Sequence, residues 1–85
     1  MTLDNGINKA FPKLRKLFSE EKLIEFKNTP NKDLKKYNFG MGTMIRLKLL
    51  RPKSALYKLF IQNKFTDREE MSMKIIEAFH YECNE

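Results

Sequence analysis

Residues 66–83 read Thr66-Asp67-Arg68-Glu69-Glu70-Met71-Ser72-Met73-Lys74-Ile75-Ile76-Glu77-Ala78-Phe79-His80-Tyr81-Glu82-Cys83, and this stretch decides the fold. A threonine followed three residues later by a glutamate is a capping box, in which each side chain satisfies a free amide of the other. Beyond it Met71, Ile75, Ile76, Phe79 and Cys83 recur at helical spacing. The pattern predicts a helix from Thr66 to about Glu82 with one apolar side. A lone amphipathic helix cannot cover that side, so partners of the same kind must be found upstream.

They are there. Pro52 stops one apolar run and Ser54 can cap the next, a helix carrying Leu56, Tyr57, Leu59, Phe60 and Ile61. Before it, Phe39–Leu50 is the most apolar stretch, with Gly40 and Gly42 at its start permitting close backbone approach. Thr29-Pro30-Asn31 is a break, because proline disfavours a helical residue before it, and Lys32–Tyr37 suits a short helical turn. Further upstream, Ser19 followed by Glu20 and Glu21 suits a helix start, burying Leu23, Ile24 and Phe26. Pro12 fits a first helical position ahead of Leu14, Leu17 and Phe18, and the sequence allows this stretch and the next to be one bent helix or two. No alternating run is long enough for a strand. The expectation is an all-α, compact single domain of four to five short helices over residues 11–85, after a flexible N-terminal segment 1–10.

The 85 residues carry a net charge of +6, with 41% hydrophobic and 33% charged residues, a composition that folds rather than stays disordered. The charge is unevenly placed. Residues 27–64 hold ten basic residues against Asp33 alone, whereas residues 65–85 hold two basic and six acidic ones. A basic middle and an acidic end make a dipolar surface that steers charged partners. The single cysteine, Cys83, excludes an internal disulfide. Asp4 and Asn5 interrupt any apolar leader, and no run is long enough to span a bilayer. A reducing cytoplasm is the expected compartment.

Candidate chemistry is sparse. His80 and Cys83 lie one helical turn apart, which is half a metal site at most. Cys83 sits near Glu82 and Glu85, and neighbouring negative charge raises a thiol pKa instead of activating it. Glu69, Glu70, Glu20 and Glu21 occupy helix starts, where the dipole explains them. Gly40-Met41-Gly42 lacks the remainder of a phosphate loop. Neither a catalytic set, nor a metal set, nor a cofactor motif can be assembled. Basic residues interleaved with aromatics (Tyr37, Phe39, Tyr57) carry the remaining signal, although helical spacing assigns Phe39 and Tyr57 to the core. Arg46, inside the most apolar helix, needs a partner if buried. Asp67, or a carbonyl at the start of the last helix, is the expected one, forming a clasp between two helices.

Four motifs mark a resemblance: Leu23-Ile24-Glu25-Phe26; Tyr37-Asn38-Phe39-Gly40-Met41-Gly42-Thr43-Met44-Ile45-Arg46; Ser54 to Phe60; and Asp67 to Ile76. Their order resembles a family of small bacterial helical domains of uncharacterised function, and covers about three quarters of the chain. In that family asparagine usually follows the arginine and a tryptophan often comes soon after. Here Leu47 stands in that place and tryptophan is absent. The resemblance implies a compact helical domain and no particular activity.

Residue chemistry therefore points to a non-catalytic binding protein docking through Lys35, Lys36, Lys48, Arg51, Lys53 and Lys58 on a larger protein or ribonucleoprotein, with RNA contact included. By size and charge it is of the same type as inhibitors that phages and mobile elements aim at nucleic-acid machinery, such as a CRISPR effector nuclease. Two alternatives stand beside this. One is weakly specific RNA or DNA binding, marked by steep salt dependence. The other is an antitoxin or immunity-type partner, with Glu69, Glu70 and Glu77 facing a toxin. No membrane and no small-molecule substrate is expected.

Overall fold

Helix α1 spans Leu3–Leu17, capped by Thr2, whose hydroxyl accepts from the Asn5 amide at 3.2 Å. A computed structural model describing residues Met1–Glu85 therefore corrects the expected flexible segment. Leu3, Ile7, Ala10, Phe11 and Leu14 form one buried stripe that begins eight residues before the predicted start. Pro12 lies inside the helix instead of opening it. It forgoes the bond to the carbonyl of Asn8, and both residues are on the exposed side.

Phe18 and Ser19 are extended, so α1 and α2 (Glu20–Lys27) are separate helices. Ser19 caps α2 by accepting from the Lys22 amide at 3.2 Å. Phe26 is fully buried, but Ile24, expected inside, is 54% exposed. A 3₁₀ helix follows over Asn31–Asn38, burying Leu34 and Tyr37 at its three-residue repeat. Helix α3 spans Met41–Lys48 and α4 spans Ala55–Gln62, the latter capped by Ser54 through the Tyr57 amide at 3.1 Å.

The turn after α4 is a Schellman motif. The Phe65 amide reaches the Phe60 carbonyl, the Lys64 amide reaches that of Ile61, and both bonds are 3.0 Å. Lys64 has φ 72°, and the Phe60 and Phe65 rings meet edge to face at 5.1 Å. Helix α5 spans Arg68–Cys83. Its cap is Asp67, which accepts from the Glu69 amide at 2.9 Å, so the cap lies one residue beyond the predicted Thr66 and the expected reciprocal Thr66–Glu69 box does not form.

The result is a single all-α domain of five α-helices and one 3₁₀ helix, one element more than the upper expectation. Its radius of gyration is 12.1 Å, close to the roughly 12 Å of a compact chain this long. Met71, Ile75, Ile76 and Phe79 of α5 are fully buried, and α5 packs on α3, the 3₁₀ helix, α1 and α2. Helix α4 packs on α1. There Gly6 leaves room for Leu59, whose Cδ1 lies 2.6 Å from where a Cβ would stand. No helix is long and apolar enough to cross a membrane.

A polar knot ties the far end. Thr29 Oγ1 donates to the Glu25 carbonyl at 2.8 Å, so the Tyr37 hydroxyl, 3.0 Å away, must donate to Thr29. The Thr29 carbonyl accepts from His80 Nε2 at 2.7 Å. A carbonyl can only accept, which places the imidazole proton on Nε2.

Candidate binding surface

Arg46 is the half-buried polar centre of the α3 region, and all its nitrogen contacts are neutral. Nη1 donates to Asn38 Oδ1 at 3.0 Å and to Ser72 Oγ at 2.8 Å. Nη2 donates to the Asn38 carbonyl at 3.1 Å and to Thr43 Oγ1 at 3.2 Å. Gly42 makes the bond possible, since a Cβ there would stand 3.1 Å from Nη1 and 3.2 Å from Asn38 Oδ1. Gly40 meets nothing within 4 Å. The expected pairing with Asp67 is corrected: Asp67 is spent on the α5 cap. The clasp to α5 runs instead through Ser72 and, in the other direction, through Arg68, whose Nη2 donates to the Arg46 carbonyl at 2.9 Å.

The expected basic residues stand against different neighbours. Lys35 lines a hollow with Lys32, Asn38, Met73 and Glu77, whereas Lys48 lines two adjoining hollows that share no residue with it. Lys36 Nζ lies 5.5 Å from the Tyr37 ring centre. Arg51 is fixed by its Nε donating to the Leu47 carbonyl at 3.0 Å, and Lys53 and Lys58 are exposed but line none of these hollows.

What Lys48 joins is a group that the sequence reading passed over. One hollow of about 260 Å³ is lined by Lys9, Lys13 and Lys48 with Ala10, Leu49, Leu56 and Leu59 among its apolar residues. The neighbouring hollow, about 280 Å³, is lined by Lys13, Lys16, Leu17, Lys48 and Leu49. No carboxylate lines either. Lys9, Lys13 and Lys16 fall at i, i+4 and i+7, which puts them on one face of α1. That signal was available, but it disappears once residues 1–10 are read as flexible.

The outer face of α3 departs furthest from expectation. Phe39, assigned to the core by spacing, is 82% exposed, and Leu47 is 56% exposed. Tyr37 and Met41, on either side of Phe39, take the interior positions instead. Phe39, Thr43 and Leu47 share four-residue spacing, and all three are exposed. Tyr57 is half-buried against the core.

His80 and Cys83 offer little chemistry. His80 is buried with Nε2 committed to Thr29. Burial pushes the Cys83 thiol up from its ordinary value and Glu82 adds to this, while Arg15 and Lys27 oppose it. A thiol so placed keeps its proton at neutral pH and is a weak nucleophile. No three of the chain's His, Cys, Asp and Glu side chains group so as to hold a metal ion.

The chain belongs to a family described as a domain of unknown function (DUF6794), whose family model matches residues 5–83. The matched span begins inside α1 and runs to the last residue of α5. No curated protein and no solved structure matches the chain.

Proposed function

We propose that this DUF6794 domain is a non-catalytic binding protein that docks on a larger macromolecular partner through the basic face shared by α1 and the end of α3. The observation that carries this reading is the convergence of Lys9, Lys13, Lys16 and Lys48 on two adjoining hollows that no carboxylate enters. Four like charges held on one face repel one another and cost stability. They are repaid when an anionic surface covers them. The apolar floor of Ala10, Leu49, Leu56 and Leu59 lowers the local dielectric and lends the contact a desolvated component. The sole ion pair of the molecule, Arg15–Glu82 at 3.7 Å, lies elsewhere and leaves these lysines uncompensated.

The partner class is a protein or ribonucleoprotein with an acidic or RNA-bearing surface. An assembly of nucleic-acid machinery, such as a CRISPR effector nuclease bound by a mobile-element inhibitor, belongs to that class. The compartment we propose is a reducing bacterial cytoplasm, in which Cys83 remains a free thiol.

The test is a tagged pull-down from lysate of the source cells, with and without nuclease, comparing the wild type with the combined variant Lys9→Glu, Lys13→Glu, Lys48→Glu. All three positions are exposed, so the variant should fold. A stoichiometric protein partner that survives nuclease and is lost with the variant is the expected result. Unchanged capture by the variant would overturn the reading. Recovery of nucleic acid alone, abolished by nuclease, would replace it with direct phosphate-backbone binding.

A further inference from the structure

The two most exposed apolar side chains of the α3 region stand among arginines that have no acidic partner. Phe39 is 82% exposed and Leu47 56% exposed. Phe39 stands in the turn just before α3, and Leu47 in the last turn of that helix. Arg51 is bound to the carbonyl of Leu47 at 3.0 Å and Arg68 to the carbonyl of Arg46 at 2.9 Å. Each bond uses one N–H and fixes where the rest of the guanidinium lies. Neither arginine is in an ion pair, so the remaining donors of both forks have no carboxylate.

We infer that the outer face of α3 is a protein-docking site, and that its occupant is an acidic amphipathic segment of the partner. The segment's apolar residues cover Phe39 and Leu47 while its carboxylates engage Arg51 and Arg68. This rests on the reading of the chain as a docking protein and names the chemistry of the contact. Aromatic side chains and arginine are enriched in the cores of protein interfaces. The arginine fork matches a carboxylate in bidentate geometry. A nucleic acid would also satisfy the arginines, and a base could stack on Phe39. Leu47, an aliphatic residue without a stacking face or a charge, gains more from the apolar side of an amphipathic segment than from a stacked base. The stretch that carries Phe39, Leu47 and Arg51, residues 27–64, holds ten basic residues and one acidic one, whereas Arg68 is flanked in sequence by Asp67, Glu69 and Glu70.

The test places a photo-crosslinking analogue, p-benzoylphenylalanine, at position 39 of the full chain. The protein is irradiated in lysate of the source cells and the adducts are mapped by mass spectrometry. The expected result is one saturating protein adduct whose attached stretch is rich in Asp and Glu around spaced apolar residues. Arg51→Glu with Arg68→Glu should abolish the adduct. Phe39→Ser should weaken capture of the same partner by about tenfold or more and leave the melting temperature unchanged, because the ring is not part of the core. Adducts on nucleotides, on a stretch without excess carboxylates, or on a second copy of this chain would overturn the inference. So would the absence of a saturating adduct. If lysine reversal on α1 and α3 abolishes capture while the position-39 adduct is absent, the docking function stands and only this surface fails.

Discussion

Replacing Arg46 with methionine keeps an unbranched apolar stem and removes four hydrogen bonds, so its cost can be worked out in parts. The bond to Thr43 is on an exposed residue, and water replaces most of it. Asn38 is half-buried and loses two bonds, of which the carbonyl bond is partly recovered by solvent. Ser72 is fully buried, but its hydroxyl still donates to the Glu69 carbonyl at 2.9 Å and is not orphaned. Two bonds therefore count, at about 1 kcal/mol each, for a total near 2 kcal/mol. A domain of this length has a stability of roughly 4–13 kcal/mol, so the variant folds at room temperature. Its melting temperature should fall by about 8–16 °C. Circular-dichroism melts and urea titrations measure this directly. A double-mutant cycle then assigns the partner. Arg46→Met with Asn38→Ala should be coupled by about 1 kcal/mol, whereas Arg46→Met with Asp67→Ala should be additive within about 0.5 kcal/mol. A fall of under about 2 °C, or stronger coupling to Asp67 than to Asn38, would refute this account of the clasp.

Three further outcomes are expected. Lys64→Gly should stabilise the domain by about 0.5–1 kcal/mol, read as a higher urea midpoint, because Lys64 holds φ 72°, where a side chain is disfavoured. Thr29→Val should cost about 1–3 kcal/mol by leaving the buried Tyr37 hydroxyl without its acceptor, and adding Tyr37→Phe should recover part of that loss in the same titration. Cys83 should react with iodoacetamide more slowly in the folded protein than in urea, because burial raises its pKa. The linked stability is fully present below the unfolded thiol value, about 8.5, and is lost as pH rises through the raised folded value, so Cys83→Ala should flatten the alkaline end of a stability–pH curve.

Helix α5 was legible because two independent signals agreed, a cap and an apolar stripe. Only the identity of the capping oxygen was missed, as Thr66 and Asp67 both carry one. Helix α1 was misplaced for a physical reason. Proline at a first helical position is so favourable that Pro12 drew the boundary to itself, against a stripe of Leu3, Ile7 and Ala10 that was present all along. For Arg46 the need for partners could be read from its apolar neighbours. The partners could not, because neutral acceptors such as Asn38 and Ser72 leave no charge pattern in a sequence. The exposure of Phe39 was not legible at all. Spacing says which residues share a face, but whether another element covers that face is decided by tertiary packing.

The clasp and the docking face are connected through the backbone. Asn38, held twice by Arg46, immediately precedes Phe39. Arg46, whose carbonyl holds Arg68, immediately precedes Leu47, whose own carbonyl holds Arg51. Each exposed anchor therefore follows a residue pinned by a guanidinium, and each unpaired guanidinium is itself pinned beside an anchor. Such an arrangement lowers the ordering entropy that a partner must overcome, which for long side chains is about 0.5–1.5 kcal/mol apiece. The exposed Ile24 has no guanidinium bound to its own or the preceding carbonyl, although its exposure, 54%, is close to the 56% of Leu47. Exposure alone would rank these residues together; it is the fixed backbone and the oriented arginines that single out Phe39 and Leu47. Arg46 then acts on binding without touching the partner. Its removal should weaken docking even at temperatures where the domain remains fully folded, and Phe39→Ser should weaken docking while stability is unchanged.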